Sequence, residues 1–128
     1  MAKHNIMVVD DSRVVYGEMK KMLEGSEFEI AGFCRSGEEA LEQYQTIRPE
    51  LVTLDIVMPG MDGLETCEKL KEQFPEAQIF MVSSMAYDDV IDRAVALGAK
   101  GFLFKPFTKE SLLEGLQGAI KAIGTVKD

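Results

Sequence analysis

The chain has 128 residues, 46% of them hydrophobic and 28% charged; this fits one domain around one core and excludes a disordered or fibrous chain. Its net charge of -8, with no run of Lys and Arg, excludes nucleic-acid binding through phosphate neutralisation and favours protein partners. Cys34 and Cys67 have neither CxxC nor metal-ligand spacing and read as reduced, packed thiols, while the lack of a signal-peptide core or an apolar span predicts a cytoplasmic protein with no membrane insertion.

The first element is the apolar run Ile6 to Val9, which stops abruptly at Asp10 and Asp11. Short runs rich in β-branched residues read as buried parallel strands. Val15, Met19, Met22 and Leu23 then recur at helical spacing, and Gly25 follows as a stop. Phe28 to Phe33 is a second strand whose Glu29 and Gly32 suit a sheet edge with one wetter face. Ser36 and Glu39 make a capping box for a helix through Leu41 and Tyr44. Pro49 leads into a third strand, Leu51 to Leu54, ending at Asp55; Asp62 with Glu65 then repeats the cap pattern before Leu64, Cys67 and Leu70. Beyond Pro75 comes a fourth strand, Ile79 to Val82, ending at Ser83. Val90, Ile91, Ala94 and Val95 form the stripe of a fourth helix, closed by Leu97 and Gly98. The last unit is the strand Phe102 to Phe104, ending at Lys105, and a helix carrying Leu112, Leu113, Leu116, Ala119, Ile120 and Ile123.

Five strand-then-helix units predict an α/β fold: a single doubly wound, five-stranded parallel sheet, flavodoxin-like, in the order 2-1-3-4-5 and flanked by five helices. That order puts the switch point between the first and third strands, and open parallel sheets bind ligands just beyond the carboxyl ends of their strands. Four strand ends therefore direct Asp10, Asp11, Asp55, Ser83 and Lys105 to one crevice.

Carboxylates grouped in this way repel one another unless a cation sits among them, and hard oxygen ligands suit Mg2+. Asp10 and Asp11 are the candidate ligands, although an Asp ahead of a helix also serves as a plain N-cap. Asp55 is either a third ligand or a nucleophile that would form an acyl phosphate. Ser83 offers a hydroxyl and Lys105 a compact positive charge for phosphoryl oxygens, and Lys105-Pro106 adds a tight turn in which a cis bond fits.

Asp10-Asp11, Asp55, the segment Met58-Pro59-Gly60-Met61-Asp62-Gly63, Ser83 and Lys105-Pro106-Phe107, in this order, resemble the receiver domain of two-component response regulators. The likeness is greatest to the stand-alone receivers that include the chemotaxis regulators. It covers nearly the whole chain, so residues 1–128 are expected to form one receiver domain with no output domain. The resemblance implies that Asp55 accepts a phosphoryl group from the phosphohistidine of a sensor histidine kinase or a phosphotransfer domain. Mg2+ would be held by Asp11, Asp55, the backbone carbonyl of Val57 and, partly through water, Asp10. Lys105 would contact the phosphoryl group, Ser83 would swing toward it, and Phe102 would be the aromatic switch, although its spacing alone describes a core aromatic. The signal would pass to a downstream protein target through the face of the fourth helix, fifth strand and fifth helix, where Tyr87, Asp88, Asp92 and Lys100 are candidates. Val14 and Tyr16 on the first helix fall where kinases of the family dock.

Two positions depart from the pattern. Val57, two residues after Asp55, and Met85, two after Ser83, are apolar where polar side chains are common in the family. Neither can orient a hydrolytic water by hydrogen bonding, which predicts slow loss of the phosphoryl group. The sequence thus reads as a phosphorylation-activated switch rather than an enzyme, with chemotaxis as the suggested pathway; a phosphorelay intermediate or phosphate sink is the alternative. An Asp-nucleophile phosphohydrolase is disfavoured, because such enzymes carry a second Asp as acid/base two residues beyond the nucleophile, where Val57 stands.

Overall fold

Successive residues of a strand face opposite sides of the sheet, and here both sides are apolar. In the computed structural model, which describes residues 3–85 and 87–127, the elements alternate as β1 (His4–Val9), α1 (Arg13–Leu23), β2 (Phe28–Cys34), α2 (Gly37–Ile47), β3 (Leu51–Leu54), α3 (Gly63–Gln73), β4 (Ile79–Ser83), α4 (Asp88–Ala96), β5 (Phe102–Phe104) and α5 (Lys109–Lys127). All strand pairs are parallel, in the order β2-β1-β3-β4-β5. The predicted units and strand order are therefore those observed. Ser83 forms the last residue of β4 instead of lying past it.

On one face of the sheet Ile6, Val8, Leu51, Phe80 and Val82 pack against Met19 and Leu23 of α1 and Leu112, Leu116 and Ala119 of α5. On the other, Met7, Val9, Val52, Leu54, Ile79 and Met81 pack against α2, α3 and α4. Each large side chain buried in this way contributes about 1.5–3 kcal/mol, offset by the entropy of ordering it. Phe80 shows how closely α5 and the residue before β5 approach: a methyl at Gly115 or Gly101 would come within 2.8 or 2.7 Å of its ring. Only glycine leaves room for the aromatic ring at those points.

Helix starts follow their caps. The side chains of Ser12, Ser36 and Asp62 accept the backbone N–H of Val15, Glu39 and Glu65 at 3.3, 3.1 and 2.8 Å, which satisfies first-turn donors. At α4 the prediction is corrected in part. Val95, read as belonging to the inward stripe, is 65% exposed, and Ala94 is the helix's buried residue. One helical step of about 100° turns a neighbour of a core-facing residue away from the core.

Register then positions the crevice. Val9 lies opposite Leu54 and Ser83 opposite Phe104, and the ladders continue one residue further: Asp55 N–H donates to Val9 O at 2.9 Å, Asp10 N–H to Cys34 O at 3.0 Å and Lys105 N–H to Ser83 O at 3.0 Å. Side by side at the strand ends, the polar residues leave the sheet together.

Candidate functional site

Asp10 and Asp55 are both nearly inaccessible, at 2% and 5% exposed, and Lys105 bridges them. Its Nζ lies 2.8 Å from Asp10 Oδ2 and 3.2 Å from Asp55 Oδ2. The second oxygen of each carboxylate is also engaged, Asp10 Oδ1 accepting the Ser12 N–H at 2.9 Å and Asp55 Oδ1 the Val57 N–H at 3.2 Å. Asp11 completes the group: one carboxylate oxygen from each of Asp10, Asp11 and Asp55 lies within 4.8 Å of the others.

Three carboxylates against one ammonium leave the cup negative. Burial pushes the Asp55 carboxyl above the ordinary carboxylate range, and the charge of Asp10 adds to this; Lys105 and the Val57 amide offset only part of it. For Lys105, burial pulls downward, but the hydrogen bond to Asp10 and the charges of Asp55 and Asp10 together outweigh it. Lys105 therefore stays cationic while Asp55 is under pressure to be neutralised. An all-oxygen donor set with residual negative charge and one open carboxylate fits a hard divalent cation such as Mg2+.

The walls hold these groups in place. Ile56 and Met58 are buried on either side of the half-exposed Val57, and the amino end of α3 presses on the loop: Gly63 N–H donates to Ile56 O at 2.8 Å, with its α-carbon so near that an added methyl would lie 2.5 Å from Ile56 Cα. Lys105 precedes a cis peptide bond to Pro106. Ser83 is wholly buried, and its hydroxyl oxygen accepts the Met85 N–H at 3.2 Å. Phe102 is partly buried against the core on the α2, α3 and α4 side, its ring centroid 5.1 Å from that of Phe104.

Of the predicted residues, Asp10, Asp11, Asp55 and Lys105 come together, Val57 joins through its amide, Ser83 ends β4 next to Lys105, and Phe102 lies further back in the sheet, opposite Met81. The N-cap alternative for the acidic pair is corrected: Ser12 caps α1, and Asp10 instead anchors the Ser12 amide. Ser12 was missed by sequence reasoning, and Gly63 entered it only as part of the segment that carries the resemblance, without a role. Ser12 was legible as a cap-type residue directly before a helix, whereas the close approach of Gly63 arises from packing and has no local signal. The surface also has a groove of about 450 Å3 at the amino ends of the strands, beside Tyr44, Arg48 and Ile120. Its arginine is already paired with Glu76 at 2.6 Å and stacked on Tyr44 and Phe74, so the reactive grouping is the carboxylate cup at the other end.

Fold and cup together define a doubly wound domain whose switch-point crevice carries buried carboxylates and a lysine, the equipment of a metal-assisted phosphoryl site. Residues 6–117 match the model of the response regulator receiver domain, and the chain belongs to that family. It is 36% identical over 116 residues to chemotaxis protein CheY of Listeria monocytogenes, covering 91% of this chain and 98% of that protein. To CheY of Halobacterium salinarum it is 38% identical over 122 residues, covering 95% and 100%. Among solved structures, a chain of the CheX-CheY-BeF3-Mg2+ complex from Borrelia burgdorferi superimposes with a TM-score of 0.86 at 27% identity, covering 95% of this chain and 90% of that one. Chemotaxis protein CheY4 of Vibrio cholerae gives 0.79 at 32% identity, covering 91% and 98%.

Receiver domains are phosphorylation-activated switches of two-component signalling, and that is the function of this chain. They bind Mg2+ at an acidic pocket, and an Asp cluster of suitable chemistry is present here. Among the described residues no helix is long and apolar enough to cross a membrane.

Proposed function

We propose that Asp55 is the phosphoacceptor and that Asp10, Asp11, Asp55 and the backbone carbonyl of Val57 hold Mg2+. The observation that carries this reading is the Lys105 bridge between two buried carboxylates, with Asp11 beside them. Asp55 directly follows the central strand β3, where its carboxylate emerges from an apolar wall. Asp10 is instead held by a shorter bond to Lys105 and by the Ser12 amide, which suits a ligand more than a nucleophile.

An Asp55 carboxylate oxygen attacks the phosphorus of a phosphohistidine, a P–O bond forms, and the P–N bond breaks. The electron pair passes to the imidazole nitrogen, which takes up a proton. Bound Mg2+ supplies charge neutralisation at the attacking and phosphoryl oxygens. Lys105 shifts its hydrogen bond from the Asp55 carboxylate to a phosphoryl oxygen, a charge-assisted contact. The Ser83 hydroxyl turns to donate to another, and the ring of Phe102 follows inward. Covalent charge thereby biases a two-state element, the face made by α4, β5 and α5. Exposed apolar groups there, Tyr87 and Val95 at 65% and Phe104 at 46%, give a downstream protein target something to bury.

The resemblance to CheY proteins supports chemotaxis as the pathway, with a histidine kinase or phosphotransfer domain as donor. The chain acts on itself and turns over no free substrate, because Val57 supplies no acid/base group beside Asp55. Incubation with Mg2+ and acetyl phosphate, followed by intact-mass measurement, tests this. One added phosphoryl group in the wild type and none in Asp55→Asn is expected. Phosphorylation of Asp55→Asn at the wild-type level would refute the assignment, and sustained hydrolysis of p-nitrophenyl phosphate would point to an enzyme.

A further inference from the structure

A buried hydroxyl that makes no hydrogen bond keeps the cost of its dehydration with nothing to offset it. Thr53, the third residue of β3, is 2% exposed, and its Oγ1 has no hydrogen-bond partner among the described residues. The other polar side chains buried to this degree are all engaged. Asp10 and Asp55 hold Lys105, Thr66 Oγ1 donates to Asp62 O at 2.7 Å, and Ser83 Oγ accepts the Met85 N–H at 3.2 Å. A second orphaned oxygen, Gln78 Oε1, belongs to a partly exposed side chain just before β4, and its amide nitrogen donates to Glu76 O at 3.2 Å. A valine at position 53 would keep the β-branched shape and the strand preference without an idle hydroxyl.

Strand alternation shows what this hydroxyl faces. Thr53 shares one side of the sheet with Leu51, which packs in the core under α1 and α5, and with Asp55 two residues ahead. Its register neighbours are Val8 on β1 and Phe80 on β4, both buried in that same core. The same alternation puts Asp10 ahead of Val8, and Lys105 ahead of Leu103, which also packs on that core. Behind and to the sides Thr53 therefore meets hydrocarbon. In front, one pleat or about 6.6 Å along the strand, stands the Lys105 bridge between Asp10 and Asp55. A single buried water spans such a gap when a hydroxyl holds it on one side and a carboxylate on the other.

In the unphosphorylated chain every oxygen of the two carboxylates already accepts one hydrogen bond, Asp10 from Lys105 and the Ser12 N–H, Asp55 from Lys105 and the Val57 N–H. Phosphoryl transfer upsets this arrangement, because Lys105 exchanges Asp55 for a phosphoryl oxygen. Resting on the phosphoacceptor reading, we infer that Thr53 is a positioning residue for that step: its hydroxyl, through one buried water, takes the hydrogen-bonding place on Asp55 that Lys105 vacates. A hydrogen bond made only as the reaction proceeds favours it, whereas one made equally before and after would not. The idle hydroxyl of the resting chain is the counterpart of that gain.

Two pairs of chains isolate the hydroxyl. Thr53→Val removes it from the wild type at nearly constant shape, and Thr53→Ala and Thr53→Ser differ from each other in little else. With acetyl phosphate and saturating Mg2+, followed by intact mass, Thr53→Val should be labelled about three- to tenfold more slowly than the wild type, the effect of one hydrogen bond. Thr53→Ala should be slowed to the same extent, and Thr53→Ser should stay within about twofold of the wild type. Stability should run the other way. Thr53→Val should unfold at a urea concentration at least as high as the wild type, and Thr53→Ser at a lower one, because its missing methyl leaves a gap in the core. Mg2+ affinity by titration calorimetry without donor should stay within about twofold in all these variants, since a hydroxyl that acts only after Lys105 moves leaves the carboxylates in place. Labelling of Thr53→Val at the wild-type rate would overturn the inference. So would a Thr53→Ser chain as slow as Thr53→Ala, or Mg2+ binding weakened in step with labelling, because packing and not the hydroxyl would then be at work. A wild-type chain that takes no phosphoryl group, or Asp55→Asn labelled like the wild type, would overturn the phosphoacceptor reading itself.

Discussion

Replacing Gly63 by Ala tests whether the amino end of α3 fixes the Asp55 loop. The added methyl would lie 2.5 Å from Ile56 Cα and 2.8 Å from the Asp55 carbonyl carbon, both backbone atoms that cannot swing aside. Reaching ordinary contact requires α3 to retreat by about 1 Å, which stretches the 2.8 Å Gly63–Ile56 hydrogen bond beyond its useful range. Overpacking costs about 1–3 kcal/mol and the lost bond about 1 kcal/mol, against a helix-propensity gain of up to about 1 kcal/mol, for a net loss of about 1–3 kcal/mol. Set against a typical stability of about 5–15 kcal/mol, the variant folds but is weakened. Moving the Asp55 backbone by about 1 Å should also slow phosphorylation by up to about 100-fold. The chain has no Trp, so urea unfolding is best followed by far-UV circular dichroism, and phosphorylation by intact mass with acetyl phosphate. Gly118→Ala is the control: nothing lies within 4 Å of the added methyl, so it should stabilise by up to about 1 kcal/mol. A Gly63→Ala protein as stable and as readily phosphorylated as the wild type would refute the reasoning.

Other expectations rest on charge and burial. Because folding raises the Asp55 carboxyl above its ordinary range, its contribution to stability is present at acid pH and is lost as pH rises through the folded value. Without Mg2+, Asp55→Asn should therefore be more stable than the wild type at pH 7, and the difference in Tm should shrink toward pH 4; a constant difference would contradict the electrostatic cause. Burial first, then Glu39, pushes the Cys34 thiol up to about 12, and burial, only partly offset by Lys71, pushes Cys67 to about 11. The native chain thus keeps protons that the unfolded chain releases, and stability should fall above about pH 9 by about 1.4 kcal/mol per pH unit for each thiol. Denaturation series of the wild type against Cys34→Ala/Cys67→Ala between pH 8 and 11 would show whether the thiols are the source. Val57 is half exposed at the rim of the cup and Met85 packs on the core nearby, so Val57→Asn/Met85→Glu should shorten the phosphoryl lifetime measured after donor removal. An unchanged lifetime would remove the apolar rim as its determinant.

Much of this was written locally. Each strand is a short apolar run, each turn has its Gly, Pro or capping residue, and the five repeated units leave one plausible winding. The polar strand endings were equally plain, because a buried run that stops at Asp or Lys must release that side chain at the sheet's edge. Val95 was misread because a stripe of spacing does not say which of two adjacent apolar residues the sheet will cover.

Sequence alone determined that Asp10, Asp11, Asp55 and Lys105 share one end of a parallel sheet, since strand period and chain direction are local properties. Only the tertiary structure decided how they divide the work. Register brought Lys105 between Asp10 and Asp55, residues separated in sequence by 95 and 50 positions from it. Packing alone pressed Gly63 onto the Asp55 loop and stacked Tyr16 on Phe33. Such contacts depend on the meeting of distant surfaces, and the free energy that selects them belongs to the assembled core and its buried charges.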